Sequence, residues 1–210
     1  MIAILDYGSG NLRSAQRAFA LTGHETIVTS DPNICLASEG LVVPGVGAYG
    51  ACMEQLIAAG GRAIIDARVA AQKPMIGICV GMQILFTNGT EKDGHDGLGI
   101  FAGEVNQINA PILPHIGWNN VHSEPSSILF QGLQDESFYF VHSFAAKSAV
   151  ADASNSWCTY GEEFLSAVER GPVSAVQFHP EKSGAVGARL ISNWAETLLS
   201  KNWNCCLPLM

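Results

Sequence analysis

Short apolar runs alternate with amphipathic stretches from the first residue onward. Ile2-Ala3-Ile4-Leu5 reads as a buried strand, because a short continuous apolar run bounded by a turn suits a strand covered on both faces. Tyr7-Gly8-Ser9-Gly10 reads as a turn, and Asn11–Leu21 as a helix with Asn11 as N-cap and Gly23 just past its end. A strand is expected at Glu25–Thr29 and a third at Leu41-Val42-Val43, the latter ending in Pro44-Gly45-Val46-Gly47-Ala48. Helical patterns cover residues 49–59 and 61–71 around Gly60-Gly61. Met75-Ile76-Gly77-Ile78 is a buried strand that runs into a helix expected over residues 80–87. Strands separated by helices of this length predict parallel β-α-β units, doubly wound.

Beyond residue 97 the pattern changes. Leu98–Ile108, Asn119–Val121, Phe138–Phe144, Cys158–Tyr160, Ser166–Glu169 and Ala175–Phe178 read as strands with tight turns between them, a more antiparallel half, and Gly184–Leu199 closes the chain as a helix. There is no internal repeat or low-complexity tract. Residues 1–200 are expected to form one domain, and the tail at 201–210 to fray, since it has no capping or periodic logic.

Composition narrows the function. The 210 residues carry 11 Lys plus Arg against 19 Asp plus Glu, a formal charge of −8. That balance argues against nucleic acid or an anionic membrane as the main partner. Charged residues make up 14% of the chain, against about 25% in an average soluble domain, so part of the charge-poor surface suits contact with another protein. The start of the chain has no basic region followed by a long apolar run, and no stretch reaches about 18 uninterrupted apolar residues. Cysteines 35, 52, 79, 158, 205 and 206 are then read as free thiols and the chain as cytoplasmic.

Gly77-Ile78-Cys79-Val80-Gly81 is the most informative segment. It is G-x-C-x-G between a buried strand and a helix, the sulfur form of the nucleophile elbow. The helix start favours a thiolate at Cys79, and the Val80 amide would face an oxyanion beside the sulfur. A small residue at a crowded turn would also explain it, so the motif needs a base. Histidines stand at 24, 95, 115, 122, 142 and 179. His179 ends the apolar run Val176-Gln177-Phe178, and period 2 puts His179 and Glu181 on one side of an extended segment held by Pro180. Glu181 can then hold one ring nitrogen while the other faces a thiol. Pro44-Gly45-Val46-Gly47 lacks the residues of a phosphate loop but can turn amides toward an oxyanion at a strand's carboxyl end. No Cys or His spacing suits zinc, and no metal is expected.

These motifs resemble those of the class I (triad) glutamine amidotransferases, which hydrolyse glutamine to glutamate and ammonia through a Cys–His–Glu triad. The marks are Gly77-Ile78-Cys79-Val80-Gly81-Met82-Gln83 with Phe178-His179-Pro180-Glu181. Pro44–Ala48, Pro114-His115-Ile116-Gly117-Trp118-Asn119, Tyr139–Phe144 and Gln177–Ser183 are similar to the glutaminase subunits of imidazole glycerol phosphate synthase, from Asp6 to about Leu199 in the same order. The resemblance implies an α/β, flavodoxin-like fold: a central, mostly parallel sheet with helices on both faces and an antiparallel extension in the C-terminal half. It implies Cys79 as nucleophile, His179 as base and Glu181 as orienter. Gly47 and Gln83 would hold glutamine, His142 and Ser143 would lie beside it, and Glu91 would meet its amino group. The Val46 and Val80 amides, with Gly45, would form the oxyanion site, Val46 only after a peptide flip. Gly117, Trp118 and Asn119 would lie toward the partner.

That partner is implied to be a (β/α)8-barrel cyclase subunit in a heterodimer, which takes the ammonia and converts PRFAR to imidazole glycerol phosphate and an aminoimidazole carboxamide ribotide in histidine biosynthesis, a lyase activity of the complex. No cofactor is implied. Val80 stands where Leu is usual and Phe144 where Tyr is usual. A paralogue supplying ammonia for sugar amination would look nearly the same. A different Cys hydrolase and a scaffold without activity are the other classes, and Gln83 and the intact triad residues argue against each in turn.

Overall fold

Five strands run parallel through the middle of the molecule in the order β2 (Thr26–Thr29), β1 (Ile2–Leu5), β3 (Gly40–Gly45), β4 (Met75–Cys79) and β13 (Val173–Val176). The computed structural model from which this is read describes residues 1–92 and 94–198. The sheet is extended on one edge by the antiparallel strands β12 (Glu162–Arg170) and β11 (Ser154–Tyr160), giving seven strands. Strands β1, β3, β4 and β13 are buried at every position, as strands covered on both faces must be.

The helices follow from capping and apolar spacing. In α1 (Leu12–Ala20) the Asn11 side chain accepts from the Ser14 amide, and Ala15 and Phe19, four apart, form the buried stripe. Phe19 meets Trp194 of α6 (Gly184–Thr197) edge-on at 5.4 Å. Helix α2 (Pro32–Ala37) starts at Asp31, whose carboxylate accepts from the Asn33 amide at 2.8 Å. Helices α3 (Tyr49–Ala58) and α4 (Gly61–Ala70) are separated by Gly60, at φ +70°. Right-handed crossovers put α1 and α6 on one face of the parallel sheet and α2, α3 and α4 on the other. Arg68 of α4 is fully buried and donates to the carbonyls of Cys35, Ser38, Glu39 and Pro74, which ties α2 to the loop before β4.

A second layer builds the wall of the site. Strands β5 (Phe86–Gly89), β6 (His95–Asp96), β7 (Phe101–Gln107) and β10 (Phe144–Ala146) form a four-stranded sheet. Strands β8 (His115–Asn120) and β9 (Ser137–His142) form a separate antiparallel ribbon.

Four sequence expectations change here. The helix expected over 80–87 is a single turn, α5 (Val80–Gln83), after which the chain turns into β5. The carbonyls of Ile84, Leu85, Phe86 and Thr87 accept from amides between Gly97 and Phe101, and Phe86 packs on Phe101 at 5.5 Å, so tertiary pairing overrides the helical pattern. The strand expected at Phe138–Phe144 is split at Ser143 into β9 and β10, which serve different sheets. The segment after His179 is not extended: Pro180–Lys182 is a 3₁₀ turn. Strand β8 also begins four residues earlier than expected, at His115. The expectations for Leu199 and for the tail at 201–210, including Cys205 and Cys206, lie outside the described residues.

Candidate active site

Cys79 ends β4 at φ +56° and ψ −115°, a conformation that a non-glycine residue holds only where its surroundings enforce it. The two flanking glycines enforce it. A Cβ on Gly77 would stand 2.6 Å from the Gly81 carbonyl oxygen, and one on Gly81 would stand 1.9 Å from that of Val43. The sharp turn therefore requires both, and it presents Cys79 at the carboxyl ends of β3 and β4. Val80 opens the single helical turn, so its amide is one of those a helix start leaves without an intrahelical acceptor.

His179 arrives from the next parallel strand, β13. Its amide donates to the Tyr139 carbonyl at 2.9 Å, and its own carbonyl accepts from Ser183 Oγ at 2.7 Å. The 3₁₀ turn at Pro180–Lys182 curls Glu181 back, so that Glu181 Oε1 lies 2.9 Å from His179 Nδ1. Both side chains are buried. Burial pushes the His179 pKa down, but the hydrogen bonds to Cys79 and Glu181 and the charges of both prevail and hold it up at about 10. With Nδ1 on the carboxylate, Nε2 is the ring nitrogen left for the sulfur. Thiol, imidazole and carboxylate thus have the spatial arrangement that a nucleophile, its base and the base's orienter require.

A cavity of about 330 Å³ opens over the sulfur. Val46, Gly47, Val80, Gln83, Glu91, His142 and Ser143 line it together with Cys79 and His179. Glu181 and Gly45 stand behind that wall. Gln83 is nearly buried and donates Nε2 to the Phe144 carbonyl at 2.8 Å and to Gln177 Oε1 at 3.0 Å. Glu91 Oε2 accepts from the Tyr49 amide at 2.8 Å, holding the carboxylate at the start of α3. Both ring nitrogens of His142 are taken by other protein groups. The Val46 amide donates to Ser9 Oγ at 3.0 Å rather than into the cavity.

Gly117, Trp118 and Asn119 are not on the cavity wall. They lie on the neighbouring ribbon, with Trp118 57% exposed on its outer side and Asn119 turned inward onto the Thr159 carbonyl at 2.9 Å. Sequence reasoning assigned no role to Gln177, whose Nε2 is 3.8 Å from Cys79 Sγ, nor to Ser9, Val141 or Lys182. The signal for Gln177 was available, because it precedes His179 by two in the run read from the sequence as extended, where period 2 gives both the same side. Ser9 and Lys182 had none, since each reaches the site through a turn.

Among the described residues no group of three or more His, Cys, Asp or Glu is placed to hold a metal ion, and no helix is long and apolar enough to cross a membrane.

Residues 3–197 match the family model of class I glutamine amidotransferases. The chain belongs to the class I glutamine amidotransferases. It is therefore an enzyme that hydrolyses glutamine. Among its relatives, the imidazole glycerol phosphate synthase subunit HisH of Mycolicibacterium paratuberculosis is 53% identical over 201 residues, covering 94% of this chain and 98% of the relative. The corresponding subunit of Thermobifida fusca is 48% identical, with the same coverage. Solved structures agree on the fold. A glutamine amidotransferase crystal structure matches with a TM-score of 0.76 at 18% identity, over 95% of this chain and 99% of the other. A putative GMP synthase subunit from Thermoplasma acidophilum matches with 0.72 at 21% identity, over 94% and 93%.

Proposed function

We propose that this amidotransferase is the glutaminase subunit of an imidazole glycerol phosphate synthase, working in the cytoplasm as a heterodimer with a separate (β/α)8-barrel cyclase. The relatives at 48–53% identity carry that subunit's name. The four cysteines among the described residues are free and buried, which suits a reducing compartment.

The single observation that carries the partnership is the outer face of the β8–β9 ribbon. Ile116 and Trp118 are 60% and 57% exposed there, and Trp118 packs against Tyr139. Ile116 pairs in register with Val141, and Val141 lines the cavity. An exposed apolar face thus runs directly into the wall around Cys79. A partner seated on it would cover the cavity mouth, as retention of a small neutral product demands.

The chemistry needs only proton transfers. His179 Nε2 takes the Cys79 proton, and the sulfur attacks the side-chain amide carbon of glutamine. The C–N bond breaks as His179 returns the proton to the nitrogen, releasing ammonia and leaving a γ-glutamyl thioester. Water, deprotonated by His179, then cleaves the C–S bond to give glutamate and the free thiol. Glu181 keeps Nδ1 protonated throughout, and backbone donors at Val80 and, after a peptide flip, Val46 bear the oxyanion. Ammonia passes to the cyclase, which consumes PRFAR and forms imidazole glycerol phosphate and the aminoimidazole carboxamide ribotide.

The test is glutamine hydrolysis by the chain alone, with the histidine-pathway cyclase, and with cyclase plus its nucleotide ligand, using Cys79→Ser as control. A rate that rises with the liganded cyclase and vanishes in Cys79→Ser is the expected result. Hydrolysis indifferent to that cyclase would overturn the partnership and point to ammonia supply for sugar amination instead.

A further inference from the structure

Behind the glutamine cavity, polar side chains form one continuous chain of hydrogen bonds that the thiol chemistry does not use. His142 Nδ1 lies 3.0 Å from the Phe144 carbonyl oxygen. A carbonyl only accepts, so this nitrogen carries the ring proton and Nε2 is bare. That bare Nε2 is 3.0 Å from His115 Nδ1, which must then donate. His115 Nε2 is in turn bare and stands 3.5 Å from the amide nitrogen of Asn119. One carbonyl therefore sets the tautomer of two successive rings.

The rings are built to stay neutral and fixed. His115 is 2% exposed and lies between the rings of Phe140 and Tyr160, at 4.9 and 4.0 Å. Burial holds its pKa down at about 4 and that of His142 at about 3.

On its other side, the Phe144 carbonyl also accepts from Gln83 Nε2 at 2.8 Å, and the second amide hydrogen of Gln83 goes to Gln177 Oε1 at 3.0 Å. Both donors of Gln83 are spent inside the protein, so the one group it can offer to a ligand is its acceptor, Oε1. The orientation of Gln83 thus depends on the place of the Phe144 carbonyl. That place is shared with His142, and His142 is steered by His115.

We propose that His115 is a positioning residue for glutamine binding: by donating to His142 it fixes the Phe144 carbonyl and holds Gln83 with its oxygen toward the substrate's N–H groups. This rests on the glutaminase reading of the cavity. Because His115 opens β8, the same relay connects the strand bearing Ile116 and Trp118 with the group that orients the substrate.

The test uses the full chain bound to its cyclase. His115→Phe keeps an aromatic ring and removes the donor. Its KM for glutamine is expected to rise about tenfold, the size of one buried hydrogen bond, with kcat within twofold of wild type. Alkylation of Cys79 by iodoacetamide should be unchanged. His115→Asn, whose amide can place a donor near the former Nδ1, should bring KM back to within about threefold. An unchanged KM in His115→Phe overturns the proposal, as does equal impairment of both variants with a lowered melting temperature, which would make His115 merely structural. Labelling of wild-type Cys79 by a glutamine analogue with an electrophilic γ-carbon separates the two readings. No labelling sinks the glutaminase site itself, whereas labelling with an unmoved His115→Phe sinks only the relay. Should His115→Phe not fold, ¹⁵N spectra of the wild-type imidazoles decide. Both rings protonated on Nδ1 and neutral at pH 7 is the expected pattern, and an Nε2–H or charged ring at either position overturns it.

Discussion

The amide of Val46 donates to the hydroxyl of Ser9 at 3.0 Å, and the Val46 carbonyl accepts from that hydroxyl at 3.0 Å and from the Cys52 thiol at 3.1 Å. Residue 46 is thereby held on both sides of its Cα by groups outside the cavity. For the Val46 amide to face an oxyanion on Cys79, the peptide joining Gly45 and Val46 must turn over, and the contact with Ser9 must break first. A buried hydrogen bond of this kind is worth about 1 kcal/mol, while an oxyanion donor is worth about 10²–10³ in rate. Ser9→Ala removes the restraint and leaves the donor intact. We expect glutamine hydrolysis by the isolated chain to rise at least about fivefold, with the saturated rate of the activated complex within twofold of wild type. Steady-state glutamate release by both species checks this. An unchanged basal rate would mean that the Ser9 contact is not what holds this peptide.

The turn at Cys79 leaves no room for a methyl group on Gly81. Gly81→Ala would place a Cβ 1.9 Å from the Val43 carbonyl oxygen, a backbone atom of β3 that cannot step aside without moving the central sheet. Loss of soluble folded protein, or destabilisation beyond about 3 kcal/mol, is expected from a clash of this type. Denaturant unfolding of Gly81→Ala measures it. Gly47→Ala is the contrasting case. Its Cβ meets nothing within 4 Å, and φ +90° alone is strained, so a smaller loss of about 1–2 kcal/mol is expected.

The strands of the parallel sheet and the sharp turn at Cys79 were legible because both are written in short-range pattern. The apolar runs at Ile2–Leu5, Leu41–Val43 and Met75–Ile78 are strands of the parallel sheet, and G-x-C-x-G does sit at a strand end. What the pattern hid depends on distant pairing. The helical pattern over residues 80–87 runs into β5, which is captured by β7, whose Phe101 offers Phe86 a buried ring partner. The link between His179 and Glu181 was foreseen through an extended backbone, and the chain makes it through a 3₁₀ turn instead. Side-chain reach tolerates either route, which is why the pair was legible and its geometry was not. Gln83 and His142 were expected at the substrate from motif position. That their nitrogens are spent on Phe144, Gln177 and His115 follows from β10 meeting α5, and no local pattern contains that meeting.

Stability should depend on pH in a definite sense. His115 and His142 have folded pKa values of about 4 and about 3 against an ordinary 6.5, so between those values the unfolded chain binds protons that the native chain refuses. Their contribution is whole above about pH 6.5 and is lost as pH falls toward 4. Each ring contributes a slope of up to about 1.4 kcal/mol per pH unit. His179 has the opposite sign. Its folded pKa of about 10 gives stability that is whole below 6.5 and is lost as pH rises toward 10. Unfolding free energy from denaturant titrations between pH 5 and 9 should therefore peak near neutrality. In His115→Asn the acid-side slope should be shallower than in wild type, and an unaltered slope would show that other groups control it.

The outer face of the ribbon should govern association without touching the thiol chemistry. Ile116 and Trp118 project from β8 on the side away from His115, with Trp118 against Tyr139 and Ile116 beside Val141 at the cavity rim. Large aromatic side chains exposed in this way are the residues whose truncation costs most at an interface, about 2 kcal/mol or more. Trp118→Ala is expected to weaken cyclase binding at least about thirtyfold by calorimetry. Adding a charge with Ile116→Asp, in the same apolar patch, should weaken it further. Alkylation of Cys79 in the isolated variants should match wild type, since neither side chain lines the cavity. Undiminished binding in both variants would place the docking face elsewhere and remove the physical reason for reading this ribbon as the mouth through which ammonia is handed on.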